Sequence, residues 1–510
     1  MPKQIKPEQV SRRKTKNMSQ ATHSSTCRHV QALPTVTALV VALASTLVLT
    51  LAGCASTAGI SAPHAKAVAP AALGVSDSSA AATVGADWWQ GFGDSGMSNL
   101  ITHALDGSPS LKVAQARLAR AQANADTVRS ADGLQVNGSF EATRQLFSGN
   151  SIYPPPLGGE IYETGTLQVG ASWEFDFFGR NRRALDAAIG AQRAAEADAQ
   201  AARVMLASNV ARSYVQLARL IDQRDVAKRS LAQRDEILTL IRQRVDAGLD
   251  TKVELRQGEG ALPETRAQLE ALEEQITLAR HSLAALTGQG PQALDQLTPQ
   301  LQAVQAVPLP ANVPADLLGR RADISAARWR VEAAGNDVAS AKAQFYPNVS
   351  LTAFAGLSSI GLDRLFKSGS EQWGVGPAIH LPIFDSGRIR SNLRGKSADL
   401  DLAVETYNAA VIDAVRDVAD QISSLQSIAR QQTEQVQAQA AAESAYDIAV
   451  QRYKAGLGTY LTVLNAEASV LGQRRSATDL KARALDTQVA LIRSLGGGYA
   501  AEGTRTASVR

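Results

Sequence analysis

Cysteine is nearly absent: the 510-residue chain has two, Cys27 and Cys54, and none after position 54. The body of the protein therefore holds no disulfide framework and no cysteine metal site. Aromatic residues make up only 5% of the chain, too few for an aromatic-rich all-β core, while the recurrence of Ala and Gln favours long helices. The six histidines, at positions 23, 29, 64, 103, 281 and 380, include no two at metal-ligand spacing. No G-x-x-x-x-G-K-[ST] loop occurs, which argues against ATP hydrolysis, and Gly496-Gly497-Gly498 has no Lys after it and reads as a helix stop. Asp and Glu pairs on the helices read as solvated faces, so no enzyme is expected. The 45% apolar content excludes intrinsic disorder.

Positive charge is concentrated at the amino terminus. Residues 1–53 hold Lys3, Lys6, Arg12, Arg13, Lys14, Lys16 and Arg28 against the single acid Glu8. That leader carries +6 of the +4 overall, leaving about −2 on the rest, so the basic pI is no sign of nucleic-acid binding. The basic stretch leads into the uncharged apolar run from Ala38 to Leu51 and then Leu51-Ala52-Gly53-Cys54. This is the order of a secretory signal, and the run is short for a bilayer span. Leu-Ala-Gly-Cys resembles the lipobox of bacterial lipoproteins, which implies cleavage after residue 53 and a diacylglycerol and N-acyl lipid on Cys54, with no other cofactor expected. An uncleaved anchor helix or a plain signal peptide are the other readings. Ala55 follows where an inner-membrane retention signal would place Asp, which favours the outer membrane. Residues 54–86, rich in Ala, Ser, Gly and Pro, read as a tether.

The body is internally repeated. Phe178-Gly179-Arg180 matches Ser386-Gly387-Arg388, Ala247-Gly248-Leu249 matches Ala455-Gly456-Leu457, and Gly288 matches Gly496, all at an offset of 208. Upstream, Leu111 matches Ile324 and Val136 matches Val349 at 213, so the change of five lies between the two strands of each half, where the first copy carries Pro154-Pro155-Pro156. A gap-free repeat of this length is expected of duplicated helices packed side by side, and its period is too long for a solenoid unit. The halves are placed at residues 87–300 and 301–498, with 499–510 as a tail.

Within each half two signals alternate. From Arg180 to Ala247 there is no Pro and one Gly, Gly190; the mate from Arg388 to Ala455 has only Gly395. Roughly 65 residues of good helix formers give a rod on the order of 100 Å. Val210, Leu217, Leu231, Leu238 and Val245 recur in sevens, interrupted by Arg224, flanked by Leu206, Leu220, Ala227 and Ile241, which is a coiled-coil seam. Gly248 and Gly456 stop the rods, and shorter helices return from about Thr251 to Leu286 and Tyr460 to Leu495. Each half is thus an antiparallel hairpin bent at a glycine. By contrast, Leu167 to Phe177 alternates apolar with small or polar residues, as does Trp373 to Ile383, with weaker partners at Val136–Ala142 and Val349–Ala355. Such segments suit membrane β-strands, although the strands alone also fit soluble half-buried hairpins. Four strands cannot close a barrel, and open edges in lipid leave backbone groups unpaired. If they span a membrane, several chains must share one barrel. Arg180 and Arg388, at the strand-to-helix corners, are expected to pair with Asp176 and Asp385.

The set Asp87-Trp88-Trp89, Leu111 to Leu118, Trp173 to Arg180, Leu317 to Ile324, Phe345 to Leu351 and Phe384 to Arg388 resembles the TolC/OprM-like outer membrane factors, in particular their lipidated NodT-type branch. The resemblance implies a mainly helical fold with membrane β: a homotrimer in which four strands per chain form one 12-stranded β-barrel and the duplicated hairpins an α-barrel tunnel. The chain would be the passive exit duct of a tripartite efflux pump, fed by an inner-membrane RND-type transporter through a periplasmic adaptor. It further implies that Gly248, Leu249, Gly456 and Leu457 form the tip that meets the adaptor. Tip acids narrow the tunnel in such proteins, which makes Asp246 or Asp250 constriction candidates, with Asp250 alternatively a helix N-cap. At the second bend Gly458 stands where an acid can occur. A protein-secretion duct and a lipid-tethered periplasmic scaffold without a pore are the alternatives.

Overall fold

The computed structural model describes residues 57, 59–68, 84–150, 152–307 and 319–499; the signal segment, Cys54, residues 69–83 of the tether, residues 308–318 and the 500–510 stretch lie outside the described residues. After a 3-10 turn at Trp88–Phe92 come α1 (Ser95–Gly107), α2 (Pro109–Ser130), β1 (Gln135–Leu146) and β2 (Ile161–Phe175). The rod α3 (Arg180–Asp246) and returning helix α4 (Lys252–Leu286) complete the first half. The second half repeats the order as α5 (Ala322–Ala343), β3 (Asn348–Ile360), β4 (Glu371–His380), α6 (Arg388–Lys454) and α7 (Tyr460–Ser494). Both rods have 67 residues and both returning helices 35, so the duplicated-hairpin expectation holds to the residue.

The seam expected on α3 is where the rod is buried. Val210, Leu217 and Leu238, with Leu206, Leu220, Ala227 and Ile241, are buried, and Leu231 and Val245 are half-buried. Arg224 is tolerated in that row because its guanidinium reaches Asp225 and Glu273 at the helix surface. The largest apolar cluster packs Trp88, Trp89, Phe92, Met97 and Ile101 against Leu206 to Ile221 of α3 and Leu485, Val489 and Ile492 of α7. There Asp94 caps α1, accepting from Met97 N–H at 2.8 Å and from the buried Tyr214 hydroxyl at 2.8 Å. The halves are laced along α3 and α7 by Arg212–Asp486 at 2.6 Å and Arg219–Asp479 at 2.8 Å. The numbers rise on one helix as they fall on the other, which fixes the two as antiparallel neighbours.

The four strands form one antiparallel sheet in the order β1-β2-β3-β4. β2 ends at Phe175 and β4 at His380, earlier than the alternation alone suggests; Pro382, which has no N–H for a ladder, lies just past the second end. At the first corner the expected Arg180–Asp176 pair is replaced. Arg180 Nη2 reaches both oxygens of Glu174, at 2.7 and 2.8 Å, and Asp176 accepts from the N–H of Arg182 at 2.9 Å. Gly179 at the N-cap has no side chain to do this, so the carboxylate three residues earlier supplies the acceptor. Asp385 does the same at the second corner, accepting from Gly387 and Ile389 N–H at 3.0 Å each, with Arg388 at 4.0 Å.

The described part of the tether is docked. Asp401 accepts from the N–H groups of His64 and Ala65 at 2.8 and 2.9 Å. One α6 heptad further on, the buried Asn408 accepts from Val68 N–H and donates to the Lys66 carbonyl, both at 2.9 Å.

Candidate functional site

Two features are the candidate site: the sheet at one end of the rods and the bends at the other. The pairing of Thr166 with Ser358, Leu167 with Leu357, and Phe140 with Leu167 fixes which residues share a face. One face collects Val136, Phe140, Leu167, Val169, Trp173, Phe175, Val349, Leu351, Trp373, Val375 and Ile379. The other carries Asn137, Ser139, Thr166, Gln168, Ser172, Ser350, Thr352 and Gln372, with Thr166 and Ser358 hydroxyls 3.3 Å apart. The apolar face stays exposed, with Trp373 at 78%. The outer sides of β1 and β4 have no partner strand among the described residues. Among those residues no helix is long and apolar enough to cross a membrane.

At the bends each rod ends in a Schellman turn. Gly248 and Gly456 take φ of +73° and +76°, and Leu249 and Leu457 N–H groups bond back to the Arg244 and Arg452 carbonyls at 2.8 Å each. In such a turn the residue after the glycine commonly packs on the residue five before it. Here those are arginines, and Leu249 and Leu457 stay 65% and 70% exposed.

Beneath the first bend three side chains interlock. Arg244 Nε and Nη2 lie 2.9 and 3.3 Å from the two Asp250 oxygens. The Tyr453 hydroxyl, from α6, also donates to Asp250, and the Arg244 guanidinium lies 4.7 Å from the Tyr453 ring centre. The ring is fully buried in a cluster of Ile237, Ile241, Ala449, Tyr460 and Val463. Burial pushes the Asp250 carboxyl up, but hydrogen bonds from Arg244 and Tyr453 and the Arg244 charge outweigh it, holding it below the ordinary value. Burial, then the bond to Asp250, raises Tyr453. Asp250 is therefore an anion that ties the first bend to the second rod. The N-cap of α4 is Thr251, whose hydroxyl accepts from Val253 N–H at 3.1 Å while Glu254 accepts from Thr251 N–H at 3.0 Å. Asp246, the last residue of α3, is exposed.

The family model described as outer membrane efflux protein matches residues 100–289 and 313–497. The chain belongs to this family. MdtP of Escherichia coli K12, a multidrug resistance outer membrane protein, is 34% identical over 465 residues, covering 88% of this chain and 94% of MdtP. Among solved structures, the outer membrane protein VceC from Vibrio cholerae is 37% identical with a TM-score of 0.77, covering 81% of this chain and 99% of that one. The outer-membrane channel OprN is 30% identical at the same TM-score, covering 87% and 99%. An outer membrane efflux protein accounts for the exposed apolar face of the sheet: it meets lipid, and the helical body stands in the periplasm.

This efflux protein also contains a polar network that sequence reasoning missed. Toward the bends, twelve residues before the end of α3, the buried Glu467 of α7 takes the Arg234 Nε at 2.9 Å and the Ser230 hydroxyl at 3.2 Å. Arg234 Nη1 donates to the Thr265 hydroxyl at 2.8 Å and the Ala261 carbonyl at 3.1 Å. The two opposite charges are thus paired with each other and hydrogen-bonded to their neighbours, as burial requires. The one sequence signal was two opposite charges on otherwise apolar helix faces.

Proposed function

We propose that the protein is the trimeric outer-membrane exit duct of a tripartite efflux system for small organic molecules. The observation that carries this reading is the four-stranded sheet with one apolar face and two edges unpaired among the described residues, continuous with paired 67-residue rods. In lipid, unpaired strand edges cost several kcal/mol per group; joining β1 of one copy to β4 of the next removes them, and three copies give a twelve-stranded barrel. The polar face then lines the lumen and the helices extend it through the periplasm. Without a nucleotide loop in this chain, energy comes from an inner-membrane RND-type transporter coupled through a periplasmic adaptor. The multidrug naming of MdtP supports the cargo class.

Leu249 and Leu457, held out by Gly248 and Gly456, supply apolar contacts for the adaptor. Asp250, with Arg244 and Tyr453, latches the first hairpin to the second rod and keeps the tip narrow, while the exposed Asp246 adds negative charge at its mouth. The lipid on Cys54, with the docked segment 59–68, anchors each copy to the outer membrane. Purified protein reconstituted in a planar bilayer is expected to conduct ions and to migrate as a heat-modifiable trimer. A well-folded preparation that stays monomeric and never conducts would overturn the duct.

A further inference from the structure

Phe354 interrupts the middle of the polar face of the sheet. Along β3 that face reads Ser350, Thr352, Phe354, Gly356, Ser358, and Phe354 is the central residue of the thirteen-residue strand. It pairs with Gly170 on β2 and Gly374 on β4, so its neighbours on both sides lack side chains. The ring occupies one of these gaps. A Cβ built on Gly374 would lie 2.7 Å from Phe354 Cε1 and 2.9 Å from Cζ, whereas at Gly170 the nearest atom is the Asn137 carbonyl at 4.0 Å. The side chain thus lies across β4 against the wall, seated on Gly374, with 39% of its surface open. An apolar ring on the wet face loses the burial that normally places Phe, although covering a strand glycine is one recognised structural use.

We propose that Phe354 is a cargo-contact residue, selective for aromatic organic cations. This rests on the duct reading, which turns the polar face inward. Three copies place three aromatic rings at one height, midway through the barrel, with Thr352 and Gly356 beside each along β3 and Gly170 and Gly374 across from it. An aromatic face attracts cations through its quadrupole and stacks with planar rings, so passing solutes of that class are retained briefly while simple ions are not. Gly374 keeps the ring flat on the wall and the lumen open.

Single-channel recording on the reconstituted full-length protein tests this with tetraphenylphosphonium as aromatic probe and tetrabutylammonium as aliphatic probe of equal charge. F354A is expected to weaken tetraphenylphosphonium block by about threefold to tenfold, the worth of one such contact, and to weaken tetrabutylammonium block clearly less, because that probe shares the cation–π attraction but has no ring to stack. G374A, whose new methyl displaces the ring toward the axis, is expected to lower potassium conductance, and adding F354A to it to restore the conductance of F354A alone. If F354A does not assemble, F354L keeps the bulk, removes the π-face and carries the same expectation for the aromatic probe. Unchanged tetraphenylphosphonium block, or equal weakening of both probes, would overturn the proposal and leave the duct standing. A folded wild-type protein without conductance would overturn both.

Discussion

Replacing Asp250 with Ala removes the acceptor of three hydrogen bonds at once, two from Arg244 and one from Tyr453. A hydrogen bond to a charged group contributes about 1.5–3 kcal/mol net. The tip lies beside water, and the Arg244 and Asp250 side chains keep 12% and 10% exposure, so the freed guanidinium recovers part of that from solvent. About 2 kcal/mol per chain remains at the low end of the range. Three chains losing it together amount to about 6 kcal/mol, close to the ~5.5 kcal/mol that carries a two-state equilibrium from 1:99 to 99:1. Asp250→Ala is therefore expected to move the tips from almost always narrow to almost always wide, read in a planar bilayer as larger conductance and long open times. Tyr453→Phe deletes one of the three bonds, about 1 kcal/mol per chain, and should give an intermediate open fraction with the buried packing of the ring kept. A folded Asp250→Ala trimer with wild-type conductance and dwell times would refute the latch, and an open Asp246→Ala channel beside it would shift the role to that exposed acid.

The remaining expectations concern the rest of the hairpins and the tether. Glu467→Ala strands the buried Arg234 charge and should destabilise the protein by about 3 kcal/mol, seen as a lower thermal midpoint in detergent; Glu467→Gln, which still accepts a hydrogen bond, should lose less. The latch should be indifferent to pH across the neutral range. Asp250 titrates below its ordinary value, so its contribution is complete above about pH 4 and fades as pH falls further; Tyr453 titrates above its ordinary value, so its contribution is complete below about pH 10 and fades as pH rises through the elevated value. An open fraction that changes steeply between pH 6 and 8, roughly the histidine range, would contradict this assignment. Asn408→Ala removes both bonds to the tether backbone, so trypsin should cut after Lys66 roughly fivefold to tenfold faster, without change in trimer melting.

The rods were legible because helix stops leave a mark in composition: Gly248 and Gly456 end runs otherwise free of Pro, and their common offset gives equal lengths. The strands were legible because a face in lipid and a face in water impose a period of two on segments such as Leu167 to Phe175. Pairing across the fold was not. Arg234 and Glu467 are 233 positions apart, and although each interrupts an apolar helix face, nothing local names one as the partner of the other. At the first corner, proximity in sequence favoured Asp176 for Arg180, but the demand of a glycine-capped helix for an acceptor took Asp176 and left Glu174 to the arginine. The same competition decided Asp250. An acid next to a helix start reads as a cap, yet Thr251 and Glu254 fill that role between them, which frees Asp250 to face Tyr453 from the other half of the chain. Composition marked the segment after Cys54 as a loose linker; Asp401 and Asn408 hold its described part because both sit on one stripe of α6.

The equality of the two 67-residue rods works as a matched ruler. Inserting a single amino acid into one of them would lift its bend by 1.5 Å and turn everything beyond by about 100°, tearing the ion pairs to the antiparallel neighbour and leaving the two bends at unequal heights. Deletions do the same in reverse. The periplasmic reach of such a protein can therefore be lengthened or shortened only by simultaneous changes in both copies of the duplication and in both returning helices, in steps near seven residues, which makes the distance it bridges one of its least adjustable properties.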